Sequence, residues 1–576
     1  MRLPGLFLTH VNGGRVSMEK KALLRFFVIV SISVAAGFLV SRFNIRLDLT
    51  GDRRYTLSQQ TKSILSDLEN EVYIQVYLDG EMPVAFKKMR RAVRDMLYEF
   101  RVISGRKVGY DFINPSEEGN QRQRNSVQME LINKGLTPVN VQAGDEEGGT
   151  TTRMIFPGMI VNYNGIEVPV NFLKNNPSLP AEQNLLHSME GLEYEMIQTI
   201  ATLAADTIYR VAFIEGHGEY SEIEVADITI DMARFFTVDR GVIGGRPGIL
   251  DNFAAIIVAG PDRPFSEADK FVIDQYIMKG GRVLWLAEEV YVDSDSLAYG
   301  ETVAFYNPLG LGDMLFRYGA RINPAIVQDI ECLRIPLKIL GPNNQSQITP
   351  VPWPYYPLLV PSPGHPVTRN INRVKGEFVN SIDTVGLDTA VKKSIILTSS
   401  AYSRTINPPV LISLNETNSP PGVSEFTRKN IPVAVILEGT FTSVFRNRLI
   451  PGITDAVQVM ETSVPTRQIV VADGNIIRNE VSVSGGSAVP LPLGQDRYTM
   501  QTFGNKDFII NSLNWLVDDN GLMELRSREM RLRLLDKAFV RKNLGVIRIL
   551  NIIVPVLLLA VAGLLYSWLR KKRMAF

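Results

Sequence analysis

The residues best suited to chemistry form one short segment, Glu215-Gly216-His217-Gly218-Glu219. A histidine between two carboxylates can exchange protons or bind a polar group, and glycines let backbone N–H groups approach a ligand closely. The segment follows Val211 to Ile214, an apolar run typical of a buried strand, and open α/β sheets bind ligands at the carboxyl ends of strands. We therefore expect a ligand or partner contact here. The alternative is a tight strand-to-helix turn whose polar side chains cap the next helix.

Other candidate catalytic residues are weaker. Glu288 and Glu289 are neighbours, so on a strand they would point apart, and Asp473-Gly474 is an ordinary turn dipeptide. Cys332 lies in IECLRIP, without the flanking glycines of a nucleophile elbow and without a nearby histidine. The sequence contains no GxSxG and no GxxxxGK[ST] motif. The pattern predicts no catalytic residue, and an amidotransferase-like enzyme tethered to a membrane is the least favoured function.

Composition excludes several further classes. Lys and Arg number 61 against 60 Asp and Glu, so the basic surplus of a nucleic-acid-binding protein is missing. One cysteine cannot form an internal disulfide, and the four histidines (His10, His187, His217 and His365) lack the spacing of a zinc site. We expect no metal and no cofactor. A chain of 576 residues is too long for one core, so several structural units are expected.

The first part of the chain predicts a thioredoxin-like unit over residues 44–180. Strand, helix, strand, helix and hairpin follow one another, and Asn164-Gly165 between alternating strands is a strong hairpin signal. The predicted elements are a strand at Val72–Leu78, a helix at Val84–Val102, a strand at Val108–Ile113, a helix at Val127–Lys134, and a hairpin joining Met154–Tyr163 to Ile166–Phe172. Redox chemistry would need a CxxC pair, which is absent, so this unit is expected to be a scaffold or binding domain.

The second part, residues 181–525, predicts a larger α/β unit of the flavodoxin or amidotransferase kind. Its strands are apolar on both faces, which indicates a mostly parallel sheet covered by helices on both sides. The predicted strands are Val211–Ile214, Ala254–Val258, Val283–Ala287, Ser394–Thr398, Val433–Leu437 and Gln468–Ala472. Helices are expected at Gly191–Ala204, Glu267–Met278 and Lys506–Val517, and long loops at Pro342–Pro363 and Asn407–Pro421.

Two apolar segments flank this body. Residues 549–569, including Ile552 and Leu569, carry no charge over a length that spans the hydrocarbon layer, and Arg570 to Arg573 follow. Residues 22–43, with Phe26 and Val40 in the apolar run, form a shorter span. A cleaved signal peptide is the alternative for this first segment, but no clear cleavage site follows it. The charges that flank the first segment are balanced, so orientation rests on the body being the long part and the tails short.

These observations predict a layout of seven segments. They are a short cytoplasmic tail (1–21), the first transmembrane helix (22–43), the thioredoxin-like domain (44–180), the larger α/β domain with loop excursions (181–525), a basic juxtamembrane helix (526–548), the second transmembrane helix (549–569) and a cytoplasmic tail (570–576). The body would lie in the periplasm and both tails in the cytoplasm. The basic helix would contact lipid phosphates or a partner, and the alternative is a stalk surrounded by solvent.

Several stretches together resemble one family, the GldG subunits associated with an ABC transporter of bacterial gliding motility. The similar stretches are DLTGDRRYTLSQQT (48–61), HSMEGLEYEMIQTI (187–200), IEGHGE (214–219), LFRYGARINPAIVQD (315–329), PVAVILEGTFTSVFRNR (432–448), VADGNIIRNE (471–480) and GNKDFIINSLNWLVDDNGLMELRSRE (504–529). Each stretch is short, but all seven occur in the same order. The likeness extends over nearly the whole chain after the first apolar segment.

The resemblance implies two partners, a multispan ABC permease and a separate ATPase, in the inner (cytoplasmic) membrane of a Bacteroidota-type envelope. A separate ATPase agrees with the missing phosphate-binding loop. We therefore expect a non-catalytic accessory subunit whose periplasmic body binds or couples to an envelope component. The alternative from a different class is a ligand-binding receptor with its site at Glu215–Glu219. The family carries no established catalytic residue over to this sequence.

Overall fold

The structure is a computed structural model that describes residues 27–28, 30–32, 57–117, 120–144, 150–174, 180–205, 208–340, 346–386, 389–448, 459–484, 487–527 and 537–574. The chain divides into two compact units. One is the body, Leu57–Arg528, and the other combines Met1–Thr56 with Glu529–Phe576. The predicted domains 44–180 and 181–525 thus fall largely within one compact unit.

The first part of the body contains a small mixed sheet. Its elements are helix α1 (Gln59–Asp67), strand β1 (Val72–Val76), α2 (Val84–Ile103), β2 (Val108–Phe112), α3 (Gln121–Asn133), β3 (Val139–Gly144), β4 (Thr150–Ile155), β5 (Gly158–Tyr163), β6 (Ile166–Asn171), α4 (Ala181–Glu190) and α5 (Leu192–Ala204). The sheet has the order β2-β1-β5-β6. Strands β1 and β2 are parallel, whereas β5 is antiparallel to both β1 and β6.

Local sequence signals explain this region well. Tyr163 pairs with Ile166, and Asn164 and Gly165 have φ angles of 52° and 84°, so the predicted Asn-Gly hairpin turn is confirmed. Ser58 caps α1 by accepting a hydrogen bond from the Thr61 N–H. The β3–β4 hairpin is an addition that the sequence pattern did not predict.

The second part of the body contains the main sheet and three smaller ones. Its elements are β7 (Arg210–Glu215), a 3-10 turn (Glu222–Val225), α6 (Ala226–Met232), β8 (Thr237–Val242), β9 (Ala255–Ala259), α7 (Glu267–Met278), β10 (Val283–Leu286), β11 (Val290–Val292), a 3-10 turn (Ser296–Tyr299), β12 (Glu301–Tyr306), α8 (Gly312–Tyr318), β13 (Ala320–Asp329), β14 (Cys332–Leu340), β15 (Ser346–Pro361), β16 (Val374–Lys375), β17 (Asn380–Thr384), β18 (Val391–Thr398), β19 (Ser403–Ile406), β20 (Val410–Ser413), 3-10 turns (Leu414–Asn418 and Val423–Glu425), β21 (Pro432–Gly439), β22 (Thr466–Val471), a 3-10 turn (Asn475–Ile477), β23 (Val481–Ser484), β24 (Ser487–Pro490), α9 (Asn505–Val517) and a 3-10 helix (Leu522–Ser527).

The main sheet is half parallel and half antiparallel. Its strand order is β14-β15-β18-β21-β22-β10-β9-β7-β8. Strands β22, β10, β9, β7 and β8 are parallel to their neighbours within this group, but β18 and β21 are antiparallel to each other, and β21 is antiparallel to β22. The expectation of a mostly parallel sheet was therefore wrong for this half. The chain between β18 and β21 contains no crossover helix, which a parallel pair would need.

Both faces of the parallel half are buried, as expected from its apolar strands. Ile256 and Val258 of β9 pack with Phe271 of α7 on one face, while Ile257 packs with Phe508 of α9 on the other. Alternate residues of one strand thus contribute to two separate cores, which holds the strand ends in fixed positions.

The region predicted as the long loop Pro342–Pro363 is instead largely strand β15, which pairs with β14 and β18. Neighbouring residues in a strand direct their N–H groups to opposite edges. Pro350, Pro352 and Pro354 are two residues apart, so the residues between them keep their N–H groups on the other edge. The segment Asn407–Pro421 also contains a short strand, β20, which pairs with β12.

The second unit contains the helices α10 (Lys537–Lys542) and α11 (Leu544–Met574). Within the described chain, one helix, Leu544–Lys572, is long and apolar enough to cross a membrane, and its side chains are exposed. It includes Ile552 and Leu569 of the predicted span 549–569. Of the predicted span 22–43, residues 27–28 and 30–32 are helical, and Phe26 and Val40 lie outside the described residues.

The basic segment 526–548 does not form one helix. Arg526 lies in the 3-10 helix that ends the body, where its side chain is only 8% exposed. Residues 528–536 lie outside the described chain, and Arg548 is part of α11. Residues 570–574, expected in a tail, continue α11. The predicted tail 1–21 lies outside the described residues.

Candidate functional site

The segment Glu215–Glu219 forms the turn at the carboxyl end of β7, which lies between β8 and β9. Gly216 and Gly218 have φ angles of 119° and 78°, a region that glycine adopts without strain. A Cβ atom on Gly218 would lie 1.5 Å from Oδ1 of Asp262. Another residue at position 218 would therefore adopt a strained φ angle and would also displace the Asp262 side chain.

His217 is held between two carboxylates. Its Nδ1 lies 3.0 Å from Oε1 of Glu219, and its Nε2 lies 3.3 Å from Oδ2 of Asp269 in the first turn of α7. The Glu219 side chain also accepts a hydrogen bond from the His217 backbone N–H at 2.7 Å. The imidazole stacks on Phe265, with ring centroids 3.7 Å apart. Every polar atom of the ring is thus occupied by the protein itself.

These contacts change the protonation of the histidine. Burial disfavours the charged imidazolium, but the hydrogen bonds and charges of Glu219 and Asp269 outweigh burial and raise the pKa of His217. The pKa of Asp269 is lowered: burial opposes this, and the hydrogen bonds from Ser266 and Gly245 together with His217 outweigh it. The His217 carbonyl accepts the N–H groups of Asp262 and Arg263. The histidine therefore connects the ends of β7 and β9 with the start of α7.

Glu215 is also paired within the protein. Its Oε1 accepts a hydrogen bond of 2.9 Å from Nε of Arg240, and Arg240 donates to the Tyr220 carbonyl at 2.7 Å. The guanidinium lies 5.1 Å from the Phe213 ring centroid. The polar side chains of the predicted site therefore stabilise the turn. Two of its residues, Gly218 and Glu219, also line an adjoining cavity.

This cavity, which we call the carboxyl-edge cavity, has a volume of about 340 Å³. It opens where β7, β9, β10 and β22 end, and Gly218, Gly260, Glu288 and Asn475 contribute to its wall. Asp262, Glu224 and Asp293 add further carboxylates, and Arg478 is the cation of the lining. The Arg478 guanidinium lies 2.8 Å from Glu224 and 5.3 Å from the Tyr220 ring centroid. The position agrees with the rule that open α/β sheets bind ligands beyond the carboxyl ends of strands.

Two carboxylates follow neighbouring strands here, and Glu288 lines the cavity. Glu288 follows β10 and accepts a short hydrogen bond from the Gly474 N–H, while Asp473 follows the neighbouring strand β22. Asp473 is fully buried, and its two oxygens accept the N–H groups of Asn475 and Glu377 at 2.8 and 3.1 Å. No Lys or Arg of the described chain forms an ion pair with either carboxylate. We call Glu288 and Asp473 the carboxylate pair.

Burial raises the pKa of Glu288 to about 7, although the Gly474 N–H and the charge of Arg478 act in the opposite direction. Burial, followed by the charge of Glu288, raises the pKa of Asp473 well above its usual value. A carboxyl group that titrates near neutral pH can hold or release a proton under ordinary conditions. The pair can therefore donate a hydrogen bond when protonated or accept a cationic group when ionised.

A larger cavity of about 680 Å³ shares Glu224, Asn475 and Arg478 with the first. Its charges are mostly paired: the Lys375 ammonium lies 2.9 Å from Glu377 and 2.7 Å from Glu480, and Arg497 also pairs with Glu480. Within the described residues, no group of three or more His, Cys, Asp or Glu side chains is arranged to hold a metal ion.

The sequence did not predict the carboxylate pair. In the sequence, Glu288 and Glu289 are neighbours that would point apart on a strand, and Asp473-Gly474 is an ordinary turn dipeptide. A usable signal existed, because each acid directly follows an apolar strand. That signal becomes informative only when β10 and β22 are known to be neighbours.

Cys332 begins β14 and is partly buried. Burial raises the pKa of its thiol to about 11. Reactive cysteines show the opposite shift, because the thiolate is the nucleophile. The local environment therefore does not favour the amidotransferase-like alternative.

Comparisons with known proteins show a family for this chain. Residues 209–512, just over half of the chain, match the family described as an ABC-type uncharacterized transport system. The chain belongs to this family. Its matched region begins immediately before β7 and includes the carboxyl-edge cavity. Residues 51–162 match a separate domain of unknown function.

Individual proteins show weaker similarity to this chain. An uncharacterized protein of Borreliella burgdorferi (strain ATCC 35210 / DSM 4680 / CIP 102532 / B31) is 21% identical over 426 residues, which cover 70% of this chain and 74% of that protein. A solved structure of the mmIFT52 N-terminal domain aligns with a TM-score of 0.31 and 12% identity, covering 54% of this chain and 97% of that domain.

Proposed function

We propose that the chain is a non-catalytic accessory subunit of an ABC transporter. The family match over residues 209–512 carries this proposal, and the exposed apolar helix α11 supports a membrane-anchored subunit. Its partners would be an ABC permease and a separate ATPase. The inner membrane would hold the chain by two spans, 22–43 and 549–569, with the body in the periplasm. The link to GldG and gliding motility rests on the seven sequence stretches given above.

We also interpret the two parts of the body as the sequence suggested. The order β2-β1-β5-β6, with β1 and β2 parallel, supports a thioredoxin-like unit for the first part. The five parallel strands between helices on both faces support a flavodoxin- or amidotransferase-like core for the second. Neither interpretation implies redox or hydrolytic activity, because function depends on site residues rather than on fold.

Purification from native membranes in mild detergent tests the proposal. The full chain should recover a permease and an ATPase in constant proportion. A matched variant, Ile552→Arg with Leu557→Arg, places charges in the middle of α11 and should lose both partners together with membrane retention. Recovery of the wild-type chain as a lone species would contradict the proposal.

Topology has its own test, because one cysteine is present. In a Cys332→Ser background, a cysteine replacing Tyr299, which is 92% exposed, reports on the body. A membrane-impermeant maleimide should label it in cells with a permeabilised outer membrane. A cysteine replacing Lys572 should react only after the inner membrane is opened. Equal labelling of the two positions would contradict the periplasmic body.

A ligand-binding receptor remains the second candidate function, and the carboxyl-edge cavity favours it. Gly218 and Glu219 of the predicted site line this cavity together with Glu288. If the body binds an envelope component there, Glu288→Gln should reduce recovery of that component while permease recovery stays unchanged. Unchanged recovery of all components would leave no receptor role for the cavity.

A further inference from the structure

The two ends of the body contact the same helical turn. The chain enters the body at residues 57–61, the incoming connector, and leaves it at residues 522–527, the outgoing connector. Both connectors contact Glu193, Tyr194 or Glu195, which form the first turn of α5. Residues almost 470 positions apart in sequence are thus tied to three consecutive residues.

The incoming connector is held by Glu193. The Ser58 N–H and the Thr61 hydroxyl each donate a hydrogen bond of 2.8 Å to Oε1 of Glu193. Thr61 is fully buried and Glu193 is 8% exposed, so these bonds are shielded from water. The carboxylate contacts the N-terminus of α1 and belongs to the first turn of α5, where helix dipoles favour negative charge.

The outgoing connector is held by Tyr194 and Glu195. The Arg526 guanidinium lies 5.1 Å from the Tyr194 ring centroid and 3.6 Å from the Glu195 carboxylate. The Tyr194 hydroxyl donates to the sulfur of Met523 at 2.8 Å. Arg526 also donates to the carbonyls of Pro366 and Arg369, both at 3.0 Å. The arginine therefore ties the outgoing connector to α5 and to the segment after β15.

Helix α5 leads directly to the candidate site. It packs against β5 and β6 of the small sheet and ends at Ala204, six residues before β7 begins. Strand β7 ends in the Glu215–Glu219 turn that lines the carboxyl-edge cavity. The first turn of α5 is thus connected to the Glu215–Glu219 turn through one helix and one strand.

We propose that the first turn of α5 couples the incoming and outgoing connectors. Displacement of either connector then weakens the contacts that the other connector makes with α5. This inference goes beyond the accessory-subunit function, since it names the turn through which a movement of the membrane anchors would reach the body. Thermodynamic coupling of two sites is reciprocal. If a change at Arg526 weakens the contacts of Ser58, a change at Ser58 must therefore weaken the contacts of Arg526.

Hydrogen–deuterium exchange of the full chain in lipid nanodiscs tests the coupling. Arg526→Gln should speed exchange at residues 57–61, including the Ser58 amide, by about fivefold, the low end of coupling between sites. Glu193→Gln should speed exchange at residues 522–527 in return. The matched control is Arg404→Gln, because Arg404 also stacks on a ring, Phe426, and pairs with Glu425. The control should affect only its own surroundings.

Two independent contacts would give a different result. Arg526→Gln would then speed exchange at 522–527 and 366–369 but leave 57–61 at wild-type rates, and this outcome would overturn the proposal. Should Arg526→Gln not fold, Arg526→Lys keeps the charge and loses the forked hydrogen bonds, and its cross-effect on Ser58 decides the matter. No transporter partner is present in the experiment, so its failure is distinct from failure of the proposed function.

Discussion

Two groups of acidic side chains lie at the same edge of the main sheet and differ in their hydrogen-bond partners. At the end of β7, Glu219 and Asp269 enclose His217, so an imidazole whose pKa is raised lies between the two carboxylates. At the ends of β10 and β22, Glu288 and Asp473 have backbone N–H groups as their hydrogen-bond partners. The first arrangement stabilises a fold. The second stores unfavourable charge beside a cavity, which is the usual mark of a functional site.

The largest expected effect comes from breaking the first arrangement. His217→Ala removes the hydrogen-bond partner that Glu219 and Asp269 share, and should lower the free energy of unfolding by about 3 kcal/mol. Denaturant unfolding of the full chain in detergent measures this. His187→Ala, on a partly exposed position of α4, is the control and should change stability by less than about 1 kcal/mol. A similar loss in both variants would contradict the special role of His217.

The second arrangement should respond in the opposite direction. Glu288→Gln removes a buried charge, so at about pH 8 it should raise the free energy of unfolding by on the order of 1 kcal/mol. The same denaturation measurement applies. Glu461→Gln, which removes one partner of an exposed pair with Arg446, should have an effect near zero. Destabilisation by Glu288→Gln would mean that the carboxylate pair is structural.

The two groups should also affect the free energy of unfolding in different pH ranges. The folded state raises the pKa of Glu288, so it binds more protons than the unfolded state and stability falls as pH rises from 4.5 to about 7. The raised pKa of His217 gives a contribution that is complete below 6.5 and is lost as pH rises through the raised value.

In a Glu288→Gln background, the loss of stability as pH rises from 4.5 to about 7 should therefore shrink by about 1 kcal/mol, while the loss at higher pH persists. Unfolding midpoints measured across this range provide the check. A His217→Gln chain should show the reverse pattern. Identical pH profiles for the two variants would contradict the prediction that Glu288 and His217 act in different pH ranges.

The smallest effect is expected at Glu215. Its ion pair with Arg240 is partly exposed, and Arg240 keeps its bond to the Tyr220 carbonyl and its contact with Phe213. Glu215→Gln should lower the free energy of unfolding by only about 0.5 kcal/mol, measured by the same denaturation. A decrease in stability as large as that of His217→Ala would show that the whole turn, rather than the histidine alone, stabilises this edge of the sheet.

Much of the fold could be predicted from local patterns. Helix α7 begins and ends where its periodicity indicated, and the Asn164-Gly165 turn joins the predicted hairpin. Strand β15 was missed because its prolines suggested a loop, although their spacing suits one strand edge. The antiparallel direction of β21 was missed because burial on both faces does not report strand direction.

The candidate site shows the same division. The position of the Glu215–Glu219 turn after β7 follows from local sequence, and its role in binding stays a prediction. The carboxylate pair depends on β10 and β22 being neighbours, although their last residues are 185 positions apart in the sequence. Such a contact is set by the packing of two cores, and no local spacing encodes it.

The shielded thiol of Cys332 has a practical consequence. With its pKa raised to about 11, it is almost wholly protonated at neutral pH and should alkylate slowly. A cysteine introduced on an exposed strand or loop would then react far faster than the native one. Spectroscopic probes can therefore be attached to this protein one at a time, with its own sulfhydryl left in place.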